Sequence, residues 1–147
     1  MKRTKMSQIT DAAAAGRIAS QLAASGPFAG LAIETLTQVV QAGALVELAN
    51  GEALVREGEI ATPEVYLLIE GALIVQSKGA QLARLARTGD VIGETAVLLS
   101  SKRTADVLAE GAVHVVAVPS QTLMQPEFAD VAAGVRSAML RDDWVQY

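Results

Sequence analysis

The chain has 147 residues, enough for one hydrophobic core, and 51% of them are hydrophobic, which excludes global disorder. A net charge of −4 and an aromatic content of only 3% argue against nucleic acid as a ligand, because nucleic-acid binders present basic surfaces and aromatic stacking platforms. The absence of cysteine excludes disulfides and thiol catalysis.

The N-terminus carries positive charge but lacks the apolar stretch of a signal peptide. Asp11 and Arg17 interrupt the region that follows Lys5. No window of the sequence approaches the roughly 20 apolar residues that a membrane helix needs. We therefore expect a cytoplasmic protein without a membrane partner.

Two helices are predicted before the first strand. Apolar residues recur at helical spacing over residues 7–25, until Gly26 and Pro27 end the pattern. A second helix is predicted over residues 27–41, with Gly43 as its left-handed cap. We expect residues 1–26 to form an N-terminal extension and residues 27–147 to form the domain itself.

Short β-type runs follow Gly43, and glycines lie between them where tight turns need positive φ. The predicted strands are residues 44–48, 53–56, 65–69, 72–76, 82–85, 104–108 and 112–118. Residues 92–102 interrupt this series and predict a short helix followed by a polar loop. Helices are predicted again over residues 120–125 and 126–141. This order predicts an α+β, mainly β fold, an antiparallel sandwich or roll flanked by helices.

The most informative motif begins after the predicted fifth strand and extends into the start of the sixth. It reads Gly93-Glu94-Thr95-Ala96 and, nine residues after the glutamate, Arg103-Thr104-Ala105. This pattern resembles the phosphate-binding cassette of the cyclic nucleotide-binding domain family, Gly-Glu-x-Ala followed by Arg-x-Ala. Residues 65–71 and the pair Gly89-Asp90 look like the preceding part of that family's β-roll. The resemblance covers roughly residues 28–140 and implies a jelly-roll-like β-roll, a double-stranded β-helix, with a short helix in the cassette.

The resemblance implies that all seven motif residues bind the ligand, and their chemistry fits this role. The planar guanidinium of Arg103 can donate two parallel charge-assisted hydrogen bonds to a cyclic phosphate. The carboxylate of Glu94 only accepts hydrogen bonds, which suits a ribose hydroxyl. A helix that starts near Gly93 would direct backbone N–H groups at an anion. By the resemblance, the amides of Ala96 and Thr104 also face the phosphate.

Three further residues are predicted to contact the base: Leu85, Val91 and Trp144. In the family, a residue of the C-terminal helix covers the base, so Trp144 or Tyr147 is a candidate lid. The alternative is that these aromatic residues only attach the last helix to the core. Both interpretations remain open at this point.

The identity of the base depends on how Thr104 is interpreted. In the family, threonine after the cassette arginine often accompanies cGMP, but bacterial cAMP receptors also have threonine there. We expect cAMP, with cGMP as the next candidate. A cyclic dinucleotide is disfavoured because it needs more than one cation, and only Lys102 lies near Arg103, with Arg84 and Arg87 at positions that the sequence leaves open.

An enzyme is not expected. His114 is the single histidine, so the chain cannot build the multi-histidine metal centre of a cupin-type roll, and we expect no metal and no cofactor. His114 itself is predicted to be an edge or surface strand residue. The alternative to a ligand-binding role for Arg103 is a solvated charge beside Lys102.

The leading hypothesis is a stand-alone cyclic nucleotide receptor, monomeric or weakly dimeric, whose C-terminal helix closes over the ligand. The 147 residues do not include the winged helix-turn-helix that follows the roll in bacterial regulators. We therefore expect output through a separate effector protein, the alternative being that the chain is a fragment of a longer protein. The alternative is a degenerate β-roll without nucleotide, used for dimerisation or protein interaction. The presence of both Glu94 and Arg103 favours the receptor.

Overall fold

A computed structural model of the chain describes residues 5–9, 11–24, 26–60, 63–92, 103 and 105–141. The helices in these ranges are α1 (Ala12–Ala24), α2 (Ile33–Ala42), α3 (Ser120–Leu123) and α4 (Ala129–Arg141), with 3₁₀ turns at Gly26–Phe28 and Pro126–Phe128. The strands are β1 (Lys5–Gln8), β2 (Ala44–Leu48), β3 (Ala53–Val55), β4 (Glu64–Ser77), β5 (Ala80–Leu85), β6 (Val91–Ile92) and β7 (Asp106–Pro119).

The strands form one antiparallel sheet in the order β1-β2-β7-β4-β5, with β3 paired to β7 and β6 paired to β4. Helices flank the sheet at both ends of the chain. The predicted fold class, α+β and mainly β with flanking helices, is confirmed. Among the helices in the described ranges, none has the length and apolar character that a membrane span requires.

Strands β4 and β7 are longer than predicted, because each joins two of the predicted strands. Their pairing extends from Glu64 opposite Pro119 to Gln76 opposite Asp106, with register shifts in the middle. Gly71 has a φ of +96° and Gly111 a φ of +75° in this middle region. Gly71 was predicted to lie in a turn between two strands. Instead, both glycines lie where the register shifts, at bulges that bend a strand while its pairing continues beyond them.

The N-terminal prediction was wrong at its start. Residues 7 and 8 belong to β1, which pairs with β2 and places Met6 opposite Val46. The helix begins only at Ala12, after Asp11, whose Oδ1 accepts a hydrogen bond from the backbone N of Ala13 at 3.0 Å. An aspartate in this position favours a helix start. Pairing with β2 satisfies the backbone hydrogen-bonding groups of residues 5–8. The local sequence pattern does not predict this pairing.

The second predicted helix also begins later, and its predicted cap is wrong. Gly30 has a φ of +80°, which separates the first 3₁₀ turn from α2. Gly43, predicted as a left-handed cap, has φ −102° and ψ −165°, which is extended backbone. A Cβ on Gly43 would lie 2.4 Å from the carbonyl oxygen of Ala117, so the glycine permits close approach to β7.

Two apolar cores lie on opposite faces of the sheet, because neighbouring strand residues point to opposite sides. The helix-side core lies between helices and sheet and includes Ala15, Ala19, Leu22, Phe28, Leu36, Val39, Val40, Leu67, Val91, Val116, Val118, Val131 and Val135. The roll core consists of Val46, Leu48, Leu54, Val55, Tyr66, Leu68, Leu73, Val75, Leu85, Ile92, Ala105, Val107, Ala109, Val113, Val115 and Ala117.

Helix α4 packs tightly on the Gly26–Phe28 turn. A Cβ on Gly134 would lie 2.8 Å from Cδ1 of Phe28 and 2.9 Å from the carbonyl oxygen of Pro27. The ring of Phe28 is completely buried and cannot easily move aside. The glycine therefore sets how closely the last helix approaches the domain.

We expect Gly134→Ala to destabilise the protein by about 1–2 kcal/mol, because overpacking against Phe28 outweighs the higher helix propensity of alanine. Gly16→Ala in α1 is the matched control, since no atom lies within 4 Å of its added Cβ. The control is expected to be neutral or stabilising by up to about 1 kcal/mol. Urea unfolding of both variants measures the difference. Equal effects at the two positions would contradict this description of the α4 contact.

Candidate ligand-binding site

Arg103 lies three residues before the first residue of β7 and is only 2% exposed. Two hydrogen bonds hold its backbone against the β3–β4 loop. Its N donates to the carbonyl oxygen of Glu59 at 2.7 Å, and its carbonyl oxygen accepts from the N of Gly58 at 2.9 Å. Burial of this side chain excludes the alternative of a solvated charge beside Lys102.

The guanidinium of Arg103 lies over the ring of Tyr66, with Cζ 5.8 Å from the ring centroid. Tyr66 belongs to β4 and is 1% exposed. This separation is within the range of a cation–π contact, which is stronger when water is excluded. The cation predicted from the motif therefore enters the roll core.

The β3–β4 loop that holds Arg103 is itself tied to the sheet. Oε1 of Glu59 accepts from the N of Arg56 at 2.9 Å, which closes the turn. The N of Glu57 donates to Oδ1 of Asp106 at 2.7 Å, and Oε1 of Glu57 accepts from Oγ of Ser77 at 3.0 Å. Hydrogen bonds therefore connect the β3–β4 loop to β4, to β7 and to the backbone of Arg103.

A second turn fixes the start of β6, the strand that directly precedes the motif in the sequence. Asp90 is buried and its Oδ2 accepts a hydrogen bond from the N of Arg87 at 3.1 Å. The backbone of Leu68 bonds to both residues of the Gly89-Asp90 pair at 2.8 Å. Both flanks of the motif are therefore attached to β4 or to the β3–β4 loop.

Several predicted site residues share the surroundings of Arg103. Leu85 and Ala105 are buried in the roll core together with Tyr66. Val91 lies on the other side of the sheet, in the helix-side core, whereas its neighbour Ile92 faces the roll core and is paired with Tyr66. The structure thus brings Arg103, Ala105 and Leu85 to one face and leaves Val91 on the other.

The remaining predicted site residues lie outside the described residues: Gly93, Glu94, Thr95, Ala96, Thr104 and Trp144, with Lys102 and Tyr147. The short helix predicted in residues 92–102 lies there as well, apart from Ile92 in β6. Their roles stay predictions from the motif.

The other arginines near the roll are directed to the surface. The side chain of Arg84 is 52% exposed and its Nε lies 2.8 Å from Oε1 of Glu110. The side chain of Arg87 is also exposed, with Nη2 3.7 Å from Oδ1 of Asp90. Neither arginine adds a second buried cation beside Arg103, which a ligand with two phosphates would need.

His114 lies in β7 between β2 and β4, so of the two predicted positions, edge or surface, it has the surface one. Its side chain is partly exposed, and Nε2 lies 3.4 Å from Oε2 of Glu47. Within the described ranges, no group of three or more histidine, aspartate or glutamate residues is arranged to hold a metal ion.

Sequence reasoning missed the contacts that hold Arg103 in place. Gly58, Glu59 and Tyr66 are distant from Arg103 in the sequence, and only the folded sheet brings them together. The Glu57-Gly58-Glu59 run was an available signal for a tight turn, but it did not identify what the turn contacts.

The chain is similar to a known protein family in sequence and to several solved structures in fold. A family model described as cyclic nucleotide-binding domain matches residues 45–125, more than half of the chain. No curated protein sequence is similar enough to count as a match.

Solved structures share the fold. One is the regulatory domain of PKA from Toxoplasma gondii in complex with cAMP, with 21% identity, a TM-score of 0.65, and 84% of this chain and 49% of that chain covered. A cyclic nucleotide-binding domain from Methylobacillus flagellatus KT has 15% identity and a TM-score of 0.72, with 88% and 78% covered. The catabolite activator protein of Thermus thermophilus has 21% identity and a TM-score of 0.67, with 80% and 57% covered. The chain thus spans about half of the Toxoplasma structure.

Proposed function

The chain belongs to the cyclic nucleotide-binding domain family, and on that premise we propose that it is a receptor that binds a cyclic nucleotide with its phosphate on Arg103. The observation that carries the proposal is the burial of this guanidinium over Tyr66, at the position where the family motif has its arginine. Domains of this family are regulatory and not catalytic, so we propose a receptor and not an enzyme.

The chemistry of Arg103 suits a cyclic phosphate. The phosphodiester carries a single negative charge on two oxygens, which a guanidinium can bind with two parallel hydrogen bonds. Because the side chain is buried, each bond acts in a medium of lower dielectric than water and is correspondingly stronger. Ala105 is fully buried beside it and has a small side chain, which leaves room for the ligand.

The remaining motif residues complete the proposed site. Glu94 accepts a hydrogen bond from the ribose hydroxyl, and Gly93 lets the backbone approach the ligand. The amides of Ala96 and Thr104 face the phosphate, as in the family motif, and Thr95 lies between them and the glutamate in the sequence.

We propose cAMP as the ligand and cGMP as the next candidate. The PKA regulatory domain with the same fold was solved with cAMP. The roll core near Arg103 supplies aliphatic side chains, including Leu85 and Ile92, which suit a flat base. Because Ile92 and not Val91 faces this side, Ile92 replaces Val91 as the proposed base contact on β6, and Trp144 stays a candidate lid.

The C-terminal helix is the proposed route of output. Helix α4 contacts both the Gly26–Phe28 turn and β6, and β6 leads directly into the motif. A ligand that draws the motif toward its phosphate would shift β6 and change the contact with α4. We propose that an effector protein reads this change.

A thermal shift assay with cAMP, cGMP and linear 5′-AMP tests the proposal. A cyclic nucleotide at one hundred times its dissociation constant is expected to raise the midpoint by on the order of 5–10 °C, since it adds about 2.7 kcal/mol. Linear 5′-AMP carries a phosphate monoester with a different charge and lacks the cyclic phosphodiester ring, so it serves as the control. Indifference to all three compounds would contradict the receptor and favour the interaction module.

A further inference from the structure

The aromatic ring of Tyr66 packs against the guanidinium of Arg103. We propose that it is a positioning residue, which holds the guanidinium in the orientation that meets an anionic ligand. The inference rests on the proposed function of Arg103 and adds a residue that the motif does not contain. The supporting observations are the contact distance of 5.8 Å and the burial of both side chains.

The ring of Tyr66 is held rigidly by the sheet. β4 is paired on both sides at this position, with Ile92 of β6 and Ala117 of β7 opposite Tyr66. The tyrosine hydroxyl donates a hydrogen bond to Oε1 of Glu64 at 3.3 Å, which restrains the ring. A side chain fixed in this way can restrain another that packs on it.

The residues around Tyr66 indicate that its aromatic ring does more than fill space in the core. The other residues of the described roll core are aliphatic, so packing alone does not require a ring at this position. The face of an aromatic ring carries partial negative charge, which attracts a cation. A contact through the ring face uses none of the N–H donors of Arg103, so it does not compete with phosphate oxygens for them.

Variants that change the electron density on the face of the ring at position 66, while keeping a six-membered aromatic ring there, test this inference. Tyr66→Phe keeps the ring face, and we expect its affinity for cAMP to stay within about 2-fold of the unsubstituted protein. Pentafluorophenylalanine at position 66 withdraws electrons from the face, and we expect it to weaken cAMP binding by about 5- to 20-fold relative to Tyr66→Phe. Pentafluorophenylalanine at Phe28 in the helix-side core is the control for the effect of a fluorinated buried ring on stability, which the unfolding midpoint measures.

Isothermal titration measures these affinities, and unfolding midpoints show whether the variants are folded. Should the fluorinated protein not fold, Tyr66→Leu provides the same comparison, with an equivalent loss expected relative to Tyr66→Phe. Affinities that do not distinguish Tyr66→Phe from the fluorinated or leucine variant would overturn the positioning role while leaving the receptor intact. Failure of the unsubstituted protein to bind any cyclic nucleotide would instead overturn the proposed function, and the role of Tyr66 with it.

Discussion

Arg103→Ala is expected to weaken binding of cAMP by about 100-fold or more. Charged hydrogen bonds contribute about 1.5–3 kcal/mol each, and the substitution removes two of them together with the positive charge. The guanidinium is almost completely buried, so water cannot replace these bonds without opening the roll. Isothermal titration of the purified variant with cAMP measures the loss. Arg103→Lys keeps the positive charge but not the planar guanidinium. We expect its affinity for cAMP to lie between that of the unsubstituted protein and that of Arg103→Ala.

Arg84→Ala is the matched control for this prediction. Arg84 lies on the same roll but is exposed and paired with Glu110, so its removal changes the net charge equally without touching the proposed site. We expect an affinity within about 2-fold of the unsubstituted protein and a stability change below about 1 kcal/mol. Equal losses in the two variants would show that Arg103 acts only through overall charge.

Gly71→Ala is expected to destabilise the protein by about 3–5 kcal/mol, the largest effect on stability that we predict. Gly71 has a φ of +96°, and an added Cβ would lie 2.4 Å from the carbonyl oxygen of Ala112. The clash is with the backbone of the paired strand β7. This backbone cannot move away without disrupting the pairing of β4 with β7 near their bulges. Urea unfolding measures the loss.

Gly79→Ala separates the two contributions to that loss. Gly79 also has a positive φ of +82°, but no atom lies within 4 Å of its added Cβ. The control therefore carries the backbone strain alone, and we expect a loss of about 1–2 kcal/mol. If Gly71→Ala cost no more than Gly79→Ala, the close contact between β4 and β7 would be contradicted.

The class of the fold could be predicted from the sequence because local patterns carry it. Glycine-punctuated apolar runs predicted the strands, and helical spacing predicted the flanking helices. The length of β4 and β7 could not be predicted in this way. Whether Gly71 ends a strand or bends it depends on the partner strand across the sheet, and the same is true of β1.

The candidate site was predictable in part for the same reason. The resemblance of the motif to the family's cassette predicted Arg103 and Ala105 as site residues, and the structure buries both. The support from Tyr66 and the β3–β4 loop was not predictable, because these residues meet Arg103 only after folding. The choice between Val91 and Ile92 depends on strand phase, since a shift of one residue exchanges the two faces of a sheet.

A crystal structure of the protein grown with cAMP tests the central claim most directly. The account predicts the cyclic phosphate within hydrogen-bonding distance, about 2.7–2.9 Å, of the guanidinium nitrogens of Arg103, with the base toward Leu85 and Ile92. A nucleotide bound elsewhere, or bound in the roll with its phosphate away from Arg103, would contradict it.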